Sequence, residues 1–165
     1  LNHEMAESCR ARGLDVAHGD AVGFLEGIAD ESIGGIFAAQ VVEHLEPSYL
    51  LRLLDLAFQK LRPDGVLVLE TLNPACWTAF FESYIRDITH EQPLHPDTLS
   101  YLLVASGFQD AEIRYSAPYP EFEKLQPVAS AGVPADVTET LNANVEKVNR
   151  LLFTYLDYAA IARRP

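Results

Sequence analysis

Residues 33–47 have the sequence IGGIFAAQVVEHLEP, in which an apolar run leads directly into Glu43 and His44. The run has the length of a strand and is bounded by turn-forming residues, which predicts a β-strand covered on both faces. In open α/β sheets, ligands bind beyond the carboxyl ends of the strands. We therefore expect the residues from Gln40 to His44 to lie at a binding crevice.

Helical and extended patterns alternate on both sides of this run. From Pro47, leucines recur with a period of about 3.6 residues as far as Pro63 and Gly65, which predicts a helix. Other helical segments are predicted at NHEMAESCRARG (2–13), AVGFLEGIAD (21–30), HPDTLSYLLVASGF (95–108) and DVTETLNANVEKVNRLL (136–152). Further strands are predicted at LDVAHGD (14–20), VLVLETLN (66–73), QDAEIRYS (109–116) and DYAAIARRP (157–165). This alternation predicts an α/β fold with a mostly parallel sheet and helices on both faces.

The composition indicates one folded domain over residues 1–165 and disfavours some classes of binding partner. The chain carries 24 acidic residues against 12 Lys and Arg, for a net charge of -12, and has no basic run. This balance disfavours nucleic acid and an anionic membrane surface as partners and favours a small or neutral substrate. The two cysteines have no paired spacing, and no apolar stretch approaches the ~20 residues that span a bilayer. We therefore expect a cytoplasmic protein, and no pattern indicates its oligomeric state.

Residues 117–135 (APYPEFEKLQPVASAGVPA) interrupt the alternation. The segment holds four prolines and shows no clear periodicity. Long irregular segments in compact domains are usually lids or binding loops. We predict an irregular loop or lid here and no second domain.

Three segments together resemble class I S-adenosylmethionine-dependent methyltransferases: VAHGDAVGFL (16–25), IGGIFAAQVVEHL (33–45) and LRPDGVLVLETLNP (61–74). The resemblance implies a Rossmann-like, doubly wound sheet with an antiparallel last strand, and S-adenosylmethionine as cofactor. It also implies that Asp20 accepts from the adenine amino group and that the Ala21 amide faces a ring nitrogen. Gln40 and Val41 would line the methionine side of the cofactor. The acceptor implied is a small molecule or saccharide. These residues do not separate carbon, nitrogen and oxygen acceptors, and the resemblance favours oxygen.

The family pattern is broken in two places. No Gly-x-Gly occurs in the chain, so the glycine-rich turn after the first strand is missing. The acid expected at the end of the second strand is missing too. The resemblance therefore implies an N-terminally incomplete domain that lacks its first two strands and has unpaired strand edges in its sheet.

The candidate site residues also have structural interpretations. Asp20 precedes a helical run and is a typical N-cap, and Glu43 is typical of an acid at a helix start. His44 is either a structural histidine bonded to a carbonyl or a catalytic residue. The candidate catalytic base is His44 or His90, since histidine titrates near neutral pH. His90 lies in RDITHEQPLHP (86–96), which is either an exposed loop or, by resemblance to these methyltransferases, a segment that folds over the cleft and faces the acceptor.

A metal site and two other classes of function are alternatives to this interpretation. His44, His90, His95 and Glu91 together could hold a metal, but no His-x-x-x-His spacing supports one, so none is predicted. A nicotinamide-dependent oxidoreductase should show a glycine-rich fingerprint after its first strand, which this chain lacks. A non-catalytic α/β interaction module would explain the missing glycine turn without lost residues.

Overall fold

The computed structural model describes residues 2–165, which form four strands and six helices. The strands are β1 (Ile33–Ala39), β2 (Leu61–Leu72), β3 (Gln109–Pro118) and β4 (Tyr155–Arg163). The helices are α1 (His3–Ala11), α2 (Ala21–Glu26), α3 (Pro47–Lys60), α4 (Trp77–Ala79), α5 (Pro96–Ala105) and α6 (Ala135–Leu152). A π-helical turn, Phe80–Tyr84, continues α4, and 3-10 turns cover Val42–His44 and Glu121–Glu123.

The strands form one sheet in the order β1-β2-β4-β3. β1 and β2 run parallel, while β4 is antiparallel to both β2 and β3. β1, β2 and β3 therefore point the same way and only the last strand is reversed. This confirms the predicted α/β sheet with a reversed last strand, although only one of its three strand pairings is parallel.

β1 is an edge strand, which corrects the expectation that its apolar run is covered on both faces. Within residues 2–165, β1 pairs only with β2. Phe37 in its middle is 67% exposed. A strand is buried on both faces only where other elements pack on both, and the described residues leave the Phe37 side chain of β1 largely exposed.

The core lies on the face of the sheet that α3 and α5 cover. Leu67 and Leu69 of β2 are 1% exposed, and their partners Ala162 and Ala160 of β4 are fully buried. Leu54 of α3 packs into the same cluster and is also fully buried. Alternate side chains on the opposite face of β2 and β4 are only half-buried, so the predicted cover on that face is partial.

Single residues fix several helix ends, whereas α3 ends at Lys60, before the predicted stop at Pro63 and Gly65. Asn2 caps α1 by accepting from the Met5 amide at 2.9 Å, and Pro96 occupies the first turn of α5. Gly107 after α5 has φ of 96°, and a Cβ there would meet the Phe58 ring at 3.0 Å. Only glycine combines this backbone with this contact at little cost, so α5 ends where the sequence predicts.

The strand predicted at residues 14–20 is wrong. Residues 14–18 have no regular structure, and Asp20 serves as the N-cap of α2. A strand is stable only in a hydrogen-bonded ladder, and no described strand pairs with this segment.

Residues 119–134 of the proline-rich segment are irregular apart from one 3-10 turn, while the ends of the predicted range 117–135 belong to β3 and α6. Two asparagines of α6 hold this segment against the helix. Asn149 exchanges hydrogen bonds with the Leu125 amide and carbonyl at 3.0 and 2.9 Å. Asn142 does the same with Val128 at 2.7 and 3.2 Å. A role as a lid stays a prediction.

Among the helices that the structure describes, none is both long enough and apolar enough to cross a membrane.

Candidate functional site

The polypeptide leaves β1 through Gln40, a residue in the left-handed conformation. Gln40 has φ of 53°, and its amide donates to the Glu70 carbonyl at 2.8 Å. Its side chain donates to Asp157 Oδ1 of β4 at 3.3 Å. Burial raises the pKa of Asp157, and the Gln40 hydrogen bond opposes this rise. The Gln40 side chain is thus held toward β4, and its contact with a ligand stays a prediction.

Asp20 caps α2, as its structural interpretation predicts. Its Oδ1 accepts from the Gly23 amide at 2.9 Å and from the Tyr49 hydroxyl at 3.0 Å. These bonds lower the pKa of Asp20, and the Gly23 bond contributes most. Tyr49 also accepts from the Val22 amide at 3.1 Å. Tyr49 of α3 therefore fixes the start of α2, a role that no sequence pattern indicates.

Two adjoining clefts run along α2 and form what we call the α2 groove. The first cleft, of about 450 Å³, is lined by residues 17–21 together with Gly23 and Phe24. The second, of about 460 Å³, shares Ala21 and Phe24 and continues to Val41 beyond the end of β1. The lining of the second cleft consists of apolar side chains and one glycine. The fold thus places Asp20, Ala21 and Val41 along one groove.

His44 and His90 lie side by side, although they come from separate elements. Their ring centroids are 4.6 Å apart. His44 Nδ1 lies 2.9 Å from Thr89 Oγ and 3.2 Å from the Thr89 carbonyl. The Thr89 hydroxyl donates its proton to Asp87 at 2.7 Å. His44 Nδ1 must therefore be the donor toward Thr89, which leaves Nε2 of His44 with the free lone pair.

His90 is held in the same way. Its Nδ1 lies 2.7 Å from the Tyr84 carbonyl, which can only accept, so Nε2 of His90 also carries the free lone pair. The Tyr84 ring stacks on His90 with centroids 4.5 Å apart. Burial, followed by the charges of Glu43 and Glu91, raises the pKa of Tyr84.

Glu43 is the buried acid of the site. It stands at the start of a helical turn, as predicted, but its side chain is only 1% exposed. Neither carboxylate oxygen has a hydrogen-bond partner among residues 2–165. One ligand atom each from Glu43, His44 and His90 lies within 4.8 Å of the others. The burial of Glu43 and its proximity to His90 depend on how the loop 85–95 folds. The sequence therefore offers no signal for either feature.

His95 lies outside this cluster. Its Nδ1 accepts from the Asp97 amide at 3.2 Å, so it is the N-cap of α5. Of the three histidines in the candidate segments, the fold brings together His44 and His90 and separates His95 from them.

Known structures resemble the whole described chain. A SAM-dependent methyltransferase from Archaeoglobus fulgidus is 35% identical, with a TM-score of 0.90, covering 98% of this chain and 72% of that one. A SAM-dependent methyltransferase from Thermotoga maritima, described as a possible histamine N-methyltransferase, is 13% identical, with a TM-score of 0.67 and coverage of 99% and 70%. Haemonchus contortus phosphoethanolamine N-methyltransferase 2, in complex with S-adenosyl-L-methionine, is 14% identical, with a TM-score of 0.54 and coverage of 88% and 36%. No protein-family model and no curated protein matches the chain.

Proposed function

The chain belongs to the S-adenosylmethionine-dependent methyltransferases, and we propose that it methylates an oxygen atom of a small-molecule or saccharide acceptor. S-adenosylmethionine supplies a methyl group already activated by its sulfonium. The protein therefore has two tasks: to hold the acceptor in line with that methyl group, and to take up a proton if the acceptor is a hydroxyl.

The histidine pair is the observation that supports an oxygen acceptor. A neutral amine can be methylated without prior loss of a proton, whereas a hydroxyl is a weak nucleophile until a base removes its proton. His44 follows the exit of β1, where ligands bind in open α/β sheets. Its free Nε2 and that of His90 provide two such bases within one cluster. We assign proton uptake to His44 and acceptor positioning to His90.

We place the cofactor in the α2 groove. Both bonds to Asp20 go to Oδ1, so its Oδ2 is the atom that we assign to the adenine amino group. The first amides of α2 support the role of Ala21. The Val22 amide donates to Tyr49, and the Gly23 and Phe24 amides donate to Asp20. These three amides have partners among the described residues. We therefore assign the remaining one, the Ala21 amide, to a ring nitrogen.

The methionine end of the cofactor would lie at the other end of the groove. Val41 lines the groove there and Gln40 forms the turn beside it. This orientation points the sulfonium toward the turn Val42–His44. His44 would then be close to the methyl group that is transferred, while the adenine lies beside α2.

A pair of matched acceptors tests the proposed acceptor atom. The chain is incubated with methyl-labelled S-adenosylmethionine and saccharides that differ only in one position, which carries a hydroxyl in one and an amine in the other. Product mass spectrometry with fragmentation then identifies the methylated atom. We expect O-methylation of the hydroxyl compound. Methylation of the amine alone would overturn the oxygen assignment.

A further inference from the structure

The cluster of Glu43, His44 and His90 contains a buried carboxyl group that has no hydrogen-bond partner among the described residues. Glu43 is 1% exposed, and neither of its carboxylate oxygens has a hydrogen-bond partner among the described residues. Burying an unpaired carboxylate is costly, and buried acids are normally paired or coordinate a metal. The side chain therefore lacks a partner that its position requires.

We propose that Glu43, His44 and His90 bind one divalent transition-metal ion of the class of Zn²⁺ or Mn²⁺. Their ligand atoms already lie within 4.8 Å of one another. An ion at the usual distance of about 2.0–2.2 Å from each would bring them together with small side-chain movements. This site goes beyond the proposed function and is an alternative to the proton uptake assigned to His44, because a metal-bound Nε2 has no lone pair left for a proton. It also replaces the expectation from sequence spacing that no metal binds.

The hydrogen bonds around the two histidines fit such an ion. Metal-binding histidines usually donate their second ring N–H to a carbonyl or carboxylate, which fixes the ring and its tautomer. Here His44 Nδ1 donates to Thr89, and His90 Nδ1 donates to the Tyr84 carbonyl at 2.7 Å. In the neutral form of each ring, these bonds place the lone pair on Nε2, the nitrogen that would bind the ion.

The charges also suit a divalent cation. The carboxylate of Glu43 supplies one negative charge, and Asp87 Oδ2 lies 4.0 Å from His90 Nε2 and supplies a second. Two imidazoles with one carboxylate favour Zn²⁺, and Mn²⁺ more weakly, over Ca²⁺, which prefers oxygen ligands only. Three protein ligands leave a coordination position open, which an acceptor oxygen could occupy.

Metal titration of the whole chain, without cofactor or acceptor, tests this site. The protein is treated with a chelator, exchanged into chelator-free buffer and titrated with Zn²⁺, Mn²⁺ or Ca²⁺ by calorimetry. We expect one Zn²⁺ per chain, weaker Mn²⁺ and no Ca²⁺ binding. Glu43→Gln and His90→Ala should each weaken Zn²⁺ binding by ~10-fold or more. His95→Asn is the matched control, because it removes an imidazole from the same loop but keeps an N-cap side chain, and should leave the affinity unchanged.

Absence of Zn²⁺ binding, or equal affinity in Glu43→Gln, His90→Ala and the control, would overturn the proposal. If Glu43→Gln fails to fold, the visible absorption of bound Co²⁺ gives a second measurement: it should appear with wild type and disappear with His90→Ala. Failure of the metal site can be distinguished from failure of the proposed function. An ion-free enzyme that still methylates a hydroxyl keeps proton uptake by His44 and shows that the ion is not needed for transfer, whereas activity lost on chelation makes His44 a ligand and leaves the oxygen acceptor standing.

Discussion

Replacing Glu43 by leucine should make the ion-free chain more stable while removing its metal site. The carboxylate is 1% exposed, and its two oxygens are unpaired among the described residues. A buried unsatisfied polar group costs about 1–3 kcal/mol, and a charged one costs more. Leucine has a similar shape and no polar atom that burial would leave unpaired. We expect the free energy of unfolding of Glu43→Leu to rise by about 1–3 kcal/mol.

Urea denaturation in the presence of a chelator measures this change. The slope of the free energy against urea should stay constant, so that the shift in midpoint reports stability. Leu54→Ala is a control of opposite sign. Leu54 is fully buried in the main core, and its truncation should cost about 2–5 kcal/mol. A Glu43→Leu chain less stable than wild type would show that the carboxylate has a stabilising partner, and would remove the argument for an uncompensated buried charge.

Two further predictions concern the site. His44→Ala should lower kcat by ~10² or more and leave the Kd for S-adenosylmethionine nearly unchanged, whereas His90→Ala should mainly raise KM for the acceptor; a His44→Ala enzyme with wild-type kcat would leave that histidine a structural role only. Hydrogen bonds from Gly23 and Tyr49 lower the pKa of Asp20. Its carboxylate therefore stabilises the fold at pH values above the ordinary aspartate pKa of about 4. This stabilisation is lost as the pH falls through the lowered pKa. The stability difference between wild type and Asp20→Asn, measured by thermal unfolding, should therefore shrink between pH 7 and about pH 3. A difference that stays constant over this range would show that the charge of Asp20 is irrelevant to the cap.

The sequence was sufficient where structure is determined locally. The start of α3 at Pro47 and the stop of α5 at Gly107 follow from backbone restrictions of single residues. Strand β2 follows from its apolar run. Asp20 was predicted as a site residue from the resemblance and as a cap from its position, and the structure confirms the cap.

Features that depend on distant contacts could not be predicted. The segment 14–20 has the composition of a strand, but its state depends on a neighbouring strand that local sequence does not reveal. Tyr49 reaches Asp20 from 29 residues away. Glu43 is buried because the loop 85–95 folds over it, and the backbone bond from the Glu91 amide to the Glu43 carbonyl at 2.9 Å joins the two segments. Only the folded chain brings these groups together.

The most direct test of this account is to locate S-adenosylmethionine on the protein by NMR. Backbone amide shifts are recorded as the cofactor is added, which detects weak as well as tight binding. We predict that the perturbed amides cluster along the α2 groove, at Asp20 and Ala21 and again at Gln40 and Val41, while the amides of α6 stay unchanged. Perturbations confined to other surfaces, or none at saturating cofactor, would contradict the claim that this groove holds the methyl donor.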